Sequence, residues 1–111
     1  MSDLPSYLDL IFEVVTPLGF RVRTTRSHWE KIVTHKHPVM AGQEMLVKEV
    51  LINPDEIRHS RGDPSVYLFY RSQGTRRWVC AVSKQLNVEE GFLITTYITE
   101  AIKEGDKIWP K

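Results

Sequence analysis

Cysteine is almost missing from this sequence. Cys80 stands alone among 111 residues, so no disulfide can form within the chain, and a reducing cytoplasm is the expected setting. No apolar run is long enough to span a bilayer, so no membrane association is expected. The opening Met1-Ser2-Asp3-Leu4-Pro5 has neither a basic region nor an apolar segment, which argues against a secretory leader. The familiar catalytic signatures are absent too. There is no phosphate-cradling glycine loop, no HExxH, no CxxC and no GxSxG. His35 and His37 lie two apart and point in different directions on a helix, with no cysteine or carboxylate at ligand spacing. No metal and no cofactor are therefore expected, and Cys80, in mid-strand, reads as a packing residue.

What is present is an uneven charge. Residues 20–85 hold twelve Lys/Arg against six acids, together with all four histidines, while the rest of the chain carries a net −5. A basic middle suits a phosphate-bearing partner, although a merely solvated surface has the same composition.

At this length the sequence predicts a single domain over residues 1–111. Residues 8–15 read as a strand, Thr16-Pro17-Leu18-Gly19 as a turn and residues 20–24 as the returning strand. Thr25 or Ser27 can cap a following helix, and Ser27 with Glu30 has the capping-box spacing. Trp29, Ile32 and Val33 supply its buried stripe, and Pro38 ends it near His37. A second helix is expected from about Ala41 to Leu51, with Met45, Leu46 and Val50 inward. Residues 54–58 read as a turn. Residues 66–71 and 76–82 read as a hairpin that sets Arg71 opposite Arg76 and Phe69 opposite Trp78. That register puts Tyr67, Phe69 and Trp78 on one aromatic face, a surface through which a homodimer could form. The tail is expected to make one helical turn at 100–103. The fold class is thus α+β: an N-terminal hairpin and two helices packed on an antiparallel sheet, in the order β-β-α-α-β-β-β.

The strongest strand signal is Phe92-Leu93-Ile94-Thr95-Thr96-Tyr97-Ile98-Thr99. Alternation places Phe92, Ile94, Thr96 and Ile98 on one side, and Leu93, Thr95, Tyr97 and Thr99 on the other. A half-buried structural sheet would have the same pattern, but the hydroxyl side can also be a site. The isolated polar residues His28, His35, His37, His59, Arg58, Arg61, Arg71, Lys84, Thr95, Tyr97 and Thr99 suit metal-independent RNA cleavage. That reaction needs a base for the 2′-OH, an acid for the leaving 5′ oxygen and a cation for the phosphorane. Histidine titrates in the right range and arginine forks onto phosphate. Arg58, Arg61, Arg76, Arg77 and Lys84 are candidate RNA contacts. Trp78 or Phe69 could stack a base. Arg71 facing Arg76 would repel unless an anion lay between them.

Three stretches then act together: Trp29…Ile32…His37-Pro38; Asn53-Pro54-Asp55-Glu56-Ile57…Ser60…Asp63 with Val66…Leu68-Phe69-Tyr70-Arg71; and Gly91 to Thr99. In combination, over about residues 20–109, they resemble the phage-associated Barnase–EndoU–Colicin E5/D–RelE-like (BECR) nuclease domains. The resemblance implies a small RNase-like module of toxin type, with an antitoxin or immunity protein as a partner. Its matching positions are His37, Arg71, Thr96, Tyr97 and Thr99. The reading it supports has His37 or His35 as acid or base, Arg71 as the phosphate clamp, and Tyr97 with Thr96 or Thr99 as hydroxyl donors. The alternative is a non-catalytic domain of the same fold that binds nucleic acid or an acidic protein.

Overall fold

The computed structural model describes residues 9–111; Leu8 and the N-terminal stretch read above lie outside them. Seven strands run in the chain order β1 (Leu10–Val15), β2 (Arg21–Thr25), β3 (Glu56–His59), β4 (Val66–Ser72), β5 (Trp78–Gln85), β6 (Glu90–Thr99) and β7 (Asp106–Trp109). Helices α1 (Arg26–Lys31) and α2 (Glu44–Ile52) stand between β2 and β3. The strands form one sheet in the spatial order β1-β2-β6-β5-β4-β3-β7. Every pairing is antiparallel except β2 with β6, which is parallel. The chain is an α+β domain.

Thr25 caps α1: its hydroxyl accepts from the His28 amide at 3.2 Å. Ser27 bonds to Thr25 rather than closing a box with Glu30. The helix continues as a π turn over Ile32–Lys36, with the His37 amide reaching back to the Ile32 carbonyl, and Pro38 stops it. Trp29 and Ile32 are buried as expected, and Val33 packs on the same core while half-buried. On α2 the inward residues are Val47, Val50 and Leu51, whereas Met45 is 74% exposed. The helix starts three residues later than the sequence suggests, so Met45 falls in its first turn, outside the buried stripe.

One segment read as a turn is a strand, and the helical turn expected at 100–103 does not form. Residues 56–59 pair with β4 on one side and β7 on the other, and the tail supplies β7 instead of stopping at a helical turn. Both strands are four residues long, too short to show alternation, and pairing rather than pattern holds them extended.

The β4–β5 register also differs from expectation. A five-residue loop, Gln73 to Arg77, closes with Gln73 N–H donating to the Arg77 carbonyl at 2.8 Å. Gly74 and Arg76 in it have positive φ. Phe69 therefore faces Ala81, Arg71 faces Val79 and Ser72 faces Trp78. The shift is odd, so it changes which residues share a face. Tyr67, Phe69 and Arg71 join Val79 and Ala81, and Trp78 goes to the opposite side. The single aromatic face and the Arg71–Arg76 pair do not exist.

A β-bulge makes a similar change in β6. Val82 pairs with Thr95 and Ser83 with Leu93, so Ile94 is the extra residue. Leu93 and Thr96 are both fully buried on the helix-backed side. Thr95, Tyr97 and Thr99 stay together on the other.

The two sides of the sheet differ in weight. Phe12, Phe20, Val22, Trp29, Leu51 and Phe69 belong to a core of fifteen buried residues beneath the helices. The opposite cluster has three, Leu68, Tyr70 and Cys80. At about 1.5–3 kcal/mol for each buried large apolar side chain, the helix-backed side carries the stability. The second side is free to be shaped for a ligand.

Candidate functional site

The open side of the sheet is a grid set by register. Ser72, Trp78 and Thr99 form one cross-strand row; Tyr70, Cys80 and Tyr97 the next; Leu68, Val82 and Thr95 a third. Residues 100–105 leave β6 and must reach β7 at the far edge of the sheet, past β5, β4 and β3. They cross this open side as a strap. Ile102 packs on the Leu68–Tyr70–Cys80 cluster. At the strap's end Gly105 is buried and its carbonyl accepts from Arg58 and Arg61. Gly105 has φ +82°, and a Cβ there would lie 2.4 Å from the His59 carbonyl oxygen. Only glycine lets the strap dock this closely.

Between strap and sheet lies a cavity of about 550 Å³, within the range of small-ligand sites. Leu68, Val66 and Val82 form an apolar floor. Thr95, Tyr97 and Thr99 line one wall, Ala101, Lys103 and Glu104 the strap, and His37, Ser60 and Tyr70 complete the lining. His37 arrives from the end of the π turn, and its ring lies against Tyr97 with centroids 5.7 Å apart. The Thr95 hydroxyl is buried without a hydrogen-bond partner among the described residues. Burial first, and then neighbouring Cys80, holds the Tyr97 phenol far above its ordinary pKa. Burial likewise raises Tyr70. Both phenols remain protonated at neutral pH and can act as hydrogen-bond donors. Burial pushes the Cys80 thiol up to about 12, so it is no nucleophile.

His37, Tyr97 and Thr99 are thus brought together. Arg71 is not: it lies on the helix-backed side and donates to the Asn53 carbonyl. Thr96 is fully buried on that side too, its hydroxyl donating to the Cys80 carbonyl at 2.8 Å. Its role there is to tie β6 to β5. His35 is exposed and away from the cavity lining. Arg58 is paired with Glu56 and Arg61 with Asp106, so both brace the strap. Lys84 pairs with Asp63 at 3.3 Å. Trp78 is half-buried against the open-side cluster. Arg76 and Arg77 are exposed and line a second cavity beside the first. His28 lies within 3.0 Å of the bulge carbonyl of Ile94 through Nε2, which makes that nitrogen the protonated one. His59 stacks on Tyr67.

Lys103 and Glu104 were not singled out from the sequence, and Ser60 and Tyr70 entered only as part of the resemblance, with no site role. The first two reach the site because β7 pairs beyond β3, a consequence of topology with no local sequence signal. Among the described residues no cluster of three His, Cys, Asp or Glu side chains is placed to hold a metal ion, and no helix is long and apolar enough to cross a membrane. No protein-family model, curated protein or solved structure matches the chain.

Proposed function

We propose that the cleft binds an RNA strand and cleaves it by metal-independent transesterification. His37 and Glu104 are the two proton carriers. One takes the 2′-OH proton as that oxygen attacks phosphorus, and the other protonates the departing 5′ oxygen, leaving a 2′,3′-cyclic phosphate. Lys103 replaces Arg71 as the cation beside the phosphorane, and the Tyr97 phenol donates to a non-bridging oxygen. The observation that carries this reading is the convergence of His37, Tyr97 and Lys103 on one cavity. The likeness of the His37-Pro38, Asn53–Asp63 and Gly91–Thr99 stretches to BECR nuclease domains supports it, and with it a toxin-type role held in check by a neutralising protein inside the cell.

The test is incubation of purified, folded protein with RNA in EDTA. Cleavage to cyclic phosphate ends that is lost in His37→Ala and reduced in Lys103→Ala supports the reading. A folded wild-type sample no more active than His37→Ala overturns it.

One observation favours a non-catalytic binding domain instead. With Arg71 held by Asn53, Lys103 is, among the described residues, the one lysine or arginine lining the cleft. That reading expects saturable, salt-sensitive RNA binding with no turnover.

A further inference from the structure

The cavity lined by Arg76 and Arg77 has a volume of about 660 Å³ and is also walled by Ile98, Thr99, Glu100, Ala101 and Lys103. Thr99, Ala101 and Lys103 line the first cavity as well. The two are therefore neighbouring basins on either side of Lys103 and the start of the strap. Each is the size of a small-ligand site, and together they exceed what one nucleotide fills.

The second basin is cationic. Arg76, Arg77 and Lys103 border it against one carboxylate, Glu100, and among the described residues none of the three cations makes an ion pair. Its loop is braced: Gln73 N–H bonds the Arg77 carbonyl at 2.8 Å, and the Ser72 hydroxyl bonds across to Gly74. Arg76 itself has φ 55°, the one non-glycine residue with positive φ among the described residues. Glycine would take that conformation without strain. An arginine held there against its backbone preference, beside a second arginine and next to the cleft, points to a use for its side chain.

We infer that Arg76, Arg77 and Lys103 form a second phosphate subsite, which holds the backbone phosphate of the nucleotide adjoining the one in the cleft. The inference rests on the nucleic-acid reading of the cleft and adds to it a direction: the strand leaves past Thr99 toward the β4–β5 loop. Length then matters, because a dinucleotide has only the phosphate at the cleft while a hexanucleotide can fill both basins.

The test uses non-cleavable 2′-O-methyl RNA, a dinucleotide and a hexanucleotide, titrated by chemical-shift perturbation into wild type, Arg76→Gly and Arg76→Gly/Arg77→Gln. Arg76→Gly suits the local backbone, so weaker binding in it does not reflect a misfolded loop. The expected result is at least a tenfold loss of hexanucleotide affinity in the double variant, at least five times the loss for the dinucleotide. The slope of log affinity against log salt should fall by about 1. Unchanged hexanucleotide affinity, or equal losses at both lengths, overturns the subsite while leaving the cleft reading intact. Wild type that binds neither oligonucleotide overturns both.

Discussion

The imidazole of His37 lies against the ring of Tyr97, with centroids 5.7 Å apart and planes at 39°. Two local causes make the contact. The π turn at Ile32–Lys36 inserts one residue into the helical ladder, and Pro38 halts the chain immediately after His37. The bulge at Ile94 then keeps Tyr97 on the side of the sheet that His37 reaches.

His37→Ala should lower RNA cleavage by about 10²–10⁴-fold, the usual weight of a positioned acid or base. Its side chain is half-exposed, so far-UV circular dichroism should be unchanged. Retained cleavage with retained fold would remove His37 from the chemistry.

The neighbouring threonines should separate by stability. Thr96→Val removes a buried hydroxyl bonded at 2.8 Å to the Cys80 carbonyl and should cost about 1–3 kcal/mol in urea unfolding. Thr95→Val removes a buried hydroxyl with no partner among the described residues, so stability should hold or rise while affinity for a cleft ligand falls. Equal destabilisation by the two variants would contradict this placement.

These two residues also show how far the sequence can be read. Element order, a helix cap at Thr25 or Ser27 (Thr25 makes it), the stop at Pro38 and the grouping of Thr95, Tyr97 and Thr99 follow from local chemistry and were legible. Thr96 lies opposite Thr95 and Tyr97 as alternation alone dictates, but the side taken by Leu93 depends on a bulge, and the facing partners of Arg71 on a five-residue turn that shifts register by an odd step. Neither is encoded in the alternation of the strand concerned. Lys103 and Glu104 depend on a chain crossing, and the four-residue strands β3 and β7 exist only by pairing. The long, strongly patterned elements were readable; what depended on partners distant in sequence was not.

Asp63 provides a pH signature. The Ser65 hydroxyl at 2.7 Å, the Ser65 amide at 2.9 Å and then Lys84 hold its carboxylate down to about 2 from 3.8. A carboxylate with a depressed folded pKa contributes stability above its unfolded value, and that contribution is lost as pH falls through the folded one. The window is therefore between 3.8 and about 2. Carbon-detected NMR should show Asp63 titrating near the lower figure, and Ser65→Ala should move its midpoint upward; an unmoved midpoint would refute the assignment.

At the alkaline end the sign reverses. The unfolded chain releases the Cys80 proton near 9.0, while burial holds it in the folded state to about 12, and Tyr70 and Tyr97 are shifted the same way. Stability should be full below pH 9 and decline above it. Urea midpoints from pH 8 to 11 check this, and Cys80→Ala should flatten the decline. At pH 8 the native thiol should resist a disulfide reagent and react only on unfolding.

The parallel seam joining β2 to β6 covers three residue pairs, Arg21 with Glu90, Val22 with Gly91 and Arg23 with Phe92. The opening hairpin therefore has no permanent berth on the sheet until the chain has been made as far as Phe92. During synthesis its inward residues Phe12, Val14 and Val22 wait uncovered by that strand, and whatever shields them in the interval decides how much of the product escapes aggregation.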